Sequence, residues 1–160
     1  MYDCRMTTEN PNEPDILEQQ ATKMRVVLWR ANKAVEQVEI AHLRQQGLCM
    51  SDFAILEVLL HKGPLPVNLI GNKVLLTSGS ITTAVVRLES RGWVCKTVDR
   101  NDRRVFRVSL TPKGRQFIKK RYAAHVACLR EVAEGLRADE RQMFIELTKK
   151  LGHHAEGLMK

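Results

Sequence analysis

The sequence has few aromatic residues and no long apolar run. Aromatic residues make up 5% and apolar residues 44% of the 160 positions. The longest stretch without Asp, Glu, Lys or Arg, residues 74–86, holds 13 residues, whereas a membrane-spanning helix needs about 20 apolar residues. The N-terminal sequence MYDCRMTTEN lacks the apolar segment that a signal peptide requires. We therefore expect a cytoplasmic protein with one hydrophobic core and no membrane segment.

The sequence also lacks the motifs of common disulfide, metal and nucleotide sites. The cysteines are far apart and form no Cys-x-x-Cys pair, so we expect free thiols. Neither a P-loop nor a dinucleotide-binding glycine motif is present. The adjacent histidines at 153–154 would point about 100° apart on a helix, which makes a poor chelate. We expect no cofactor, no metal and no enzymatic activity.

The positive charge is concentrated in one segment. Residues 66–115 contain ten Lys or Arg and three Asp or Glu, so these 50 residues carry a net charge of +7 of the chain's +8. A basic excess on one face releases counterions from a polyanion when the two associate. The segment is therefore a candidate nucleic-acid interface, and a solvated basic surface is the alternative.

The apolar spacing predicts a mainly helical chain. After a polar tail over residues 1–14, residues 15–46 have apolar side chains at helical spacing without Gly or Pro, and Gly47 is a suitable C-cap. Shorter helices are predicted at residues 51–62, with Ser51 as N-cap, and at residues 66–73, with Pro66 in the first turn.

A further helix follows Thr77 or Ser78 and ends before Gly92. Then the period changes, and residues 93–98 and 105–110 are typical of two strands joined by a polar tip. Thr111 and Pro112 begin a long helix that reaches Leu136, and a last helix starts near Ala138. Two short helices with a tight turn and a basic hairpin form a winged helix-turn-helix.

The helix after Thr77 has the side chains that base recognition requires. Ile81, Val85 and Leu88 form its inward stripe, and the residues left facing outward are Ser80, Thr82, Thr83 and Arg87. A face of small polar side chains can enter the major groove, which is about 12 Å wide. The hairpin tip presents Arg100, Arg103 and Arg104, whose guanidinium groups suit a narrow minor groove. Asp102 is expected to orient an arginine.

Two motifs carry a resemblance to a known family. Residues 76–82, LTSGSIT, followed by Arg87-Leu88-Glu89 and Gly92, resemble the recognition helix of the MarR family of bacterial transcription regulators. The run Asp102-Arg103-Arg104, followed by VSLT at residues 108–111 and Gly114, is similar to that family's Asp-x-Arg wing signature. The resemblance covers about residues 15–158.

The resemblance implies a single domain over residues 15–160 and a homodimer. The winged helix-turn-helix would span about residues 51–111, with dimerisation helices at about 15–46 and 112–158. It further implies that Arg104 enters the minor groove and that Asp102 steadies it. The residues implied to face the major groove or its phosphates are Ser78, Ser80, Thr82, Thr83 and Arg87.

The family usually represses genes near its own and releases DNA when a small molecule binds or a cysteine is oxidised. The recognition-helix and wing sequences are closer to members that answer phenolic or quinone-like compounds. Cys4 lies about a dozen residues before the reactive cysteine of peroxide-sensing members. Redox candidates are Cys4 and Cys95, whereas Cys49 and Cys128 are expected to be buried. Met24, Trp29 and His42 are candidates for an effector pocket, with core or dimer packing as the alternative.

We therefore interpret the chain as a dimeric, sequence-specific transcription regulator, most simply a repressor. Its expected partners are a pseudo-palindromic double-stranded DNA operator, a second copy of the chain and an unidentified small-molecule effector. Two alternatives remain open. One is a sequence-blind architectural DNA-binding protein, and the other is a protein-interaction module that uses the winged lobe to bind an acidic partner.

Overall fold

The computed structural model describes residues 15–99, 102 and 104–159. The elements in chain order are α1 (Ile16–Gln45), α2 (Met50–Lys62), β1 (Leu65–Pro66), α3 (Val67–Lys73), α4 (Ser78–Ser90), β2 (Val94–Val98), β3 (Phe106–Leu110), α5 (Pro112–Ala133) and α6 (Ala138–Gly157). The three strands form one antiparallel sheet in the order β1-β3-β2. The predicted mainly helical fold with a small β wing is confirmed.

The chain divides into two compact units, and the boundary lies within α1, between Gln37 and Val38. In the first unit, the described residues are the N-terminal part of α1, and several of its apolar side chains, such as Leu17 and Trp29, are exposed. The second unit contains every other element. The polar tail over residues 1–14 lies outside the described residues, and the single domain over residues 15–160 stays a prediction.

The core of the second unit forms where α2, α4 and the sheet meet. The most deeply buried apolar side chains, all at most 3% exposed, are Leu43, Leu48, Phe53, Ile55, Leu56, Leu59, Ile70, Ile81, Ala84, Val85, Leu88, Val94, Val108 and Ile118. They include the stripe of Ile81, Val85 and Leu88 that the spacing predicts for α4. Burial of three such side chains, at about 1.5–3 kcal/mol each, fixes which side of α4 faces outward.

Two helix starts are confirmed by their caps. The Thr77 hydroxyl accepts a hydrogen bond from the backbone N–H of Ser80 (3.3 Å), so Thr77 is the N-cap of α4. The Thr111 hydroxyl accepts from the N–H of Gly114 (3.0 Å), and Pro112 occupies the first turn of α5. Both threonines satisfy an N–H group that the helix itself leaves without a partner.

Two other predicted starts are wrong. Cys49, and not Ser51, is the N-cap of α2, which begins at Met50. Pro66 belongs to β1 and precedes α3, which begins at Val67. β1 was not predicted because it has two residues and depends on a distant partner, since Leu65 and Pro66 pair with Val108 and Arg107 of β3.

Trp93 and Gly114 form a tight junction between the wing and α5. The Trp93 carbonyl oxygen accepts from the N–H of Thr111 (3.0 Å), and the Trp93 ring stacks on Phe117 with centroids 3.9 Å apart. A Cβ atom at Gly114 would overlap the Trp93 carbonyl group. Any side chain at Gly114 therefore requires the backbone at Trp93 to move.

The described residues contain no single helix that is long and apolar enough to cross a membrane. The α3–α4 pair passes that test jointly on length and composition, with a bend of 110° between the two helices.

We expect Gly114→Ala to lower the free energy of unfolding by about 3 kcal/mol, because the added methyl group must displace the backbone at Trp93. For a domain of this size, this corresponds to a fall in Tm of roughly 6–12 °C. Thermal unfolding followed by circular dichroism measures the change. The matched control is Gly152→Ala in α6, where a Cβ would meet no atom within 4 Å. An equal loss of stability in both variants would contradict the role of the Trp93 junction.

Candidate nucleic-acid interface

The outward side of α4 carries small polar side chains. Ser78, Ser80, Thr82 and Thr83 are all exposed. The Thr82 hydroxyl donates to the carbonyl oxygen of Ser78 (2.9 Å), and the Thr83 hydroxyl donates to that of Gly79 (3.1 Å). Each hydroxyl oxygen keeps lone pairs that can accept a hydrogen bond. This face therefore has the low bulk and the polar groups that contact with base edges requires.

Arg87 lies on the same helix but is held by a buried acid. Its Nε atom donates to both carboxylate oxygens of Asp52, at 3.1 and 3.0 Å, and its Nη2 atom also donates to Oδ1. The Asp52 side chain is 2% exposed and that of Arg87 is 38% exposed. The hydrogen bond that Arg87 donates to Asp52 raises the pKa of the guanidinium, and partial burial opposes this effect.

Sequence reasoning missed Asp52. It lies 35 residues before Arg87, and its position in the first turn of α2 is typical of an exposed acid that favours a helix N-terminus. No local pattern distinguishes such a residue from a buried partner of a distant arginine. The contact depends on the packing of α2 against α4.

A shallow depression opens beside Arg87, between the starts of α2 and α4. Its lining residues are Ser51, Leu76, Thr77, Gly79, Ser80, Thr83 and Arg87. Four of these carry hydroxyl groups and one carries a guanidinium, and no lining residue is acidic. Hydroxyls, a cation and a helix N-terminus together are a suitable environment for a phosphate oxygen.

The wing lies beside α4. Arg104 lines a cavity of about 630 Å³ together with Lys96, Phe106 and residues of α3 and α4, among them Ser78 and Thr82. Arg104 is exposed, and its backbone N–H donates to the Asp102 carboxylate (2.9 Å). The structure thus brings the predicted wing arginine to the same cavity as two of the predicted hydroxyl residues, Ser78 and Thr82. Ser80 and Thr83 instead line the depression beside Arg87. Asp102 holds the backbone of Arg104.

Two further ion pairs organise the strands of the wing. Arg107 bridges the Asp99 carboxylate (2.9 Å) and the carbonyl oxygen of Pro64 (3.1 Å), which connects β3 to the loop before β1. Lys96 on β2 pairs with Glu89 on α4 (3.0 Å). The Lys96–Glu89 pair therefore links the wing to α4, and the Arg107 contacts link β3 to the neighbouring loops.

Two of the three acids of the basic segment, Glu89 and Asp99, form ion pairs with Lys96 and Arg107, and several cations remain. Within the described part of the chain, Lys73, Arg104 and Arg115 have no acidic partner within 4.0 Å. Some cations of this segment therefore pair with acids within the protein, and others are available to bind an anion. Arg100 and Arg103, which the sequence also assigns to the wing, lie outside the described residues.

The cysteines differ in exposure from what the sequence led us to expect. Cys49 was expected to be buried, and this is wrong: it is exposed at the N-cap of α2. Cys128 is buried, and burial raises the pKa of its thiol, with smaller contributions from Glu131 and Glu39. Cys95 is half-buried, and its sulfur lies 3.1 Å from the Ser109 hydroxyl. Cys4 lies outside the described residues.

The effector-pocket candidates lie in different surroundings. Met24 and Trp29 belong to the first unit and are 51% and 65% exposed. His42 belongs to the second unit, where its ring centroid lies 6.0 Å from that of His125. His125 is 4% exposed, and its Nε2 atom lies 3.3 Å from Glu39. In the described residues, no group of three or more His, Cys, Asp or Glu side chains is placed to hold a metal ion.

Comparison with known proteins supports this arrangement of helices and wing. A sequence model of the MarR family matches residues 48–106, which include α2, α3, α4 and β2. The chain is 34% identical to the HTH-type transcriptional regulator MhqR of Bacillus subtilis over 140 residues, or 88% of this chain and 97% of MhqR. The chain belongs to the MarR family.

Two other similarities extend over most of the chain. The HTH-type transcriptional regulator YkoM of Bacillus subtilis, itself uncharacterised, is 32% identical over 92% of this chain and 95% of its own length. The protein in a solved structure of reduced AbfR bound to DNA is 26% identical to this chain, with a TM-score of 0.67, over 86% of this chain and 95% of AbfR. The fold and the MarR assignment from sequence are thus confirmed.

Membership of the MarR family also decides the class of protein. MarR family transcriptional regulators are DNA-binding proteins and not enzymes. The prediction that this chain is a transcription regulator without enzymatic activity is therefore confirmed. The individual roles of the α4 and wing residues stay predictions.

Proposed function

We propose that the chain is a homodimeric, sequence-specific repressor that binds a pseudo-palindromic DNA operator. The observation that carries this proposal is the shared surface of α4 and the wing, where Ser78 and Thr82 line the same cavity as Arg104. The Ser78 and Thr82 hydroxyls can then contact the major groove while Arg104 contacts the minor groove of the same duplex.

Each part of the surface has its own role in the proposed complex. Ser78, Ser80, Thr82 and Thr83 face base edges or phosphates in the major groove, where hydrogen-bond patterns differ among all four base pairs. Arg104, with Arg100 and Arg103, occupies the adjacent minor groove, whose negative potential increases as it narrows. Arg87 contacts the DNA backbone.

The duplex from the region upstream of the protein's own gene should bind at least about 10³-fold more tightly than a scrambled duplex. Fluorescence anisotropy at about 50 and 200 mM salt measures both affinities and their salt dependence. Arg104→Ala should weaken binding to both duplexes and lower the salt slope, because it removes a contact with the backbone and groove. Thr82→Ala should instead reduce the difference in affinity between the upstream and the scrambled duplex, because a base contact carries sequence information.

Equal and strongly salt-dependent binding to both duplexes would contradict sequence specificity and favour an architectural protein. The absence of binding at low salt would favour a module that recognises an acidic protein partner.

The proposed dimer uses the exposed apolar face of α6. Met143, Phe144 and Leu147 are 59%, 52% and 60% exposed, and they recur at one side of the helix. A run of large exposed apolar side chains is typical of an interface in a protein that functions as an oligomer. A two-fold dimer would place two α4 helices about one turn of DNA apart, at roughly 34 Å.

We expect Leu147→Asp to convert the dimer to a monomer, because two carboxylates would then face each other in the apolar contact. Analytical ultracentrifugation measures the mass. The same variant should bind operator DNA about 100-fold more weakly, since the two half-sites lose their linkage. Leu147→Met keeps the apolar contact and should leave mass and affinity unchanged. A Leu147→Asp variant that stays dimeric would move the interface away from this face of α6.

A phenolic or quinone-like compound, or an oxidant, is proposed to release the DNA. Support comes from family membership, and solved structures of AbfR include reduced and overoxidized forms bound to DNA. The upstream-duplex titration, repeated with a quinone or with hydrogen peroxide, should give a higher Kd with one of them. If the oxidant acts through Cys95, the Cys95→Ser variant should lose that response alone. An unchanged Kd with both reagents would contradict the proposal that a quinone-like compound or an oxidant releases the DNA.

A further inference from the structure

Asp52 has a contact that simple helix packing does not require. It is 1% exposed and uses both carboxylate oxygens to bind Arg87, which joins α2 to α4. Removing a carboxylate and a guanidinium from water carries a desolvation cost that two apolar side chains would avoid. What the ion pair supplies and an apolar pair cannot is a fixed direction for the guanidinium plane.

The remaining edge of the guanidinium faces outward. Among the described residues, the Arg87 Nη1 atom has no hydrogen-bond partner. The Nη2 atom makes two longer contacts, with the Ser51 hydroxyl at 3.4 Å and the Cys49 sulfur at 3.5 Å. The side chain is 38% exposed, so part of it reaches solvent while Nε and Nη2 hold Asp52.

This outer edge belongs to the hydroxyl-lined depression described above. Arg87 lines it together with Ser51 and Ser80, and the start of α4 adds backbone N–H groups that the helix leaves unpaired. Because no acidic residue lines the depression, an anion would meet donors and positive potential and no opposing charge.

We propose that Asp52 is a positioning residue for DNA binding, which holds Arg87 so that its outer edge binds a backbone phosphate in this depression. The inference rests on the proposed DNA-binding function and extends it in two ways. It assigns a role to Asp52, which does not itself touch the DNA. It also adds the Ser51 hydroxyl to the residues that face the phosphate.

The sign of one substitution separates this role from simple electrostatics. Asp52→Asn removes a negative charge from a protein that binds a polyanion. From the overall electrostatic potential alone, the Asp52→Asn variant should therefore bind DNA more tightly than the wild type. If Asp52 positions Arg87, the same substitution leaves the guanidinium without a fixed orientation, and the variant should bind DNA more weakly than the wild type.

The experiment measures binding of the full chain to a random-sequence duplex of about 30 base pairs between 50 and 200 mM salt. Phosphate contacts are independent of sequence, so no operator is required. Asp52→Asn should reduce the magnitude of the salt slope by about 0.9 per protomer, the value for one lost phosphate contact. Arg87→Gln and the double variant should show the same decrement, because both changes remove one interaction.

Glu134→Gln is the matched control. It neutralises an acid that pairs with an arginine, Arg130, but at the exposed C-terminal end of α5, where Glu134 is the C-cap and the two side chains are 61% and 81% exposed. The control makes the same change in net charge as Asp52→Asn and should leave the slope unchanged. A decrement in both variants would overturn the proposal.

Folding is checked by circular dichroism at the assay temperature. Arg87→Lys keeps a cation opposite Asp52 and so protects the fold, but its single ammonium has no second edge for a phosphate. It should show the same decrement as Asp52→Asn, and this variant decides the matter if Asp52→Asn does not fold.

Wild-type slopes in folded Asp52→Asn and Arg87→Lys would overturn the inference, and Asp52 would then only hold α2 and α4 together. That outcome leaves the proposed function intact if the wild-type chain prefers its upstream duplex. A wild-type chain that binds no duplex at 50 mM salt would overturn both.

Discussion

The burial of one side of α4 is the constraint on which the rest of the interface depends. Ile81, Val85 and Leu88 are each at most 2% exposed, and together they fix the rotation of the helix about its axis. With that rotation fixed, the opposite side can carry hydroxyls whose positions are set by the backbone. A helix free to rotate by a few tens of degrees would present different side chains to a groove, so base recognition requires this anchor.

The wing depends on the same helix through polar contacts. Glu89, near the end of α4, pairs with Lys96 of β2, and β2 is paired along its length with β3. At the far end of β3, the Trp93–Gly114 junction and the stacked rings of Trp93 and Phe117 join the sheet to α5. These contacts set the direction of α5 relative to the base of the wing.

Local sequence patterns predicted the elements that local physics determines. The caps Thr77 and Thr111 and the buried stripe of α4 follow from interactions within a few residues, so spacing was enough to find them. β1 and the Asp52–Arg87 pair could not be found in this way. β1 has two residues and forms only because β3 offers backbone partners.

The same reasoning explains the errors in burial. Cys49 was expected to be buried because cysteine is most often a buried residue type, but its place at the exposed start of α2 decides otherwise. Asp52, three residues later, is buried because a partner 35 residues away removes the cost of enclosing its charge. Whether a residue at a helix end is exposed depends on the distant elements that pack against it. The sequence of that helix alone therefore cannot predict its exposure.

Two arginines of the proposed interface are held in different ways, and this difference has a consequence for recognition. The Arg87 side chain is fixed by Asp52, whereas Arg104 has its backbone fixed by Asp102 and its side chain exposed. An arginine side chain carries about 2 kcal/mol of rotamer entropy, so Arg87 loses less of it on binding than Arg104 does. A pre-oriented group suits a phosphate, whose position along the backbone varies little with sequence. A mobile group suits the minor groove, whose width depends on the sequence being read. In this arrangement α4 sets the position of the protein along the duplex. The wing arginine then adapts to the width of the minor groove at that position.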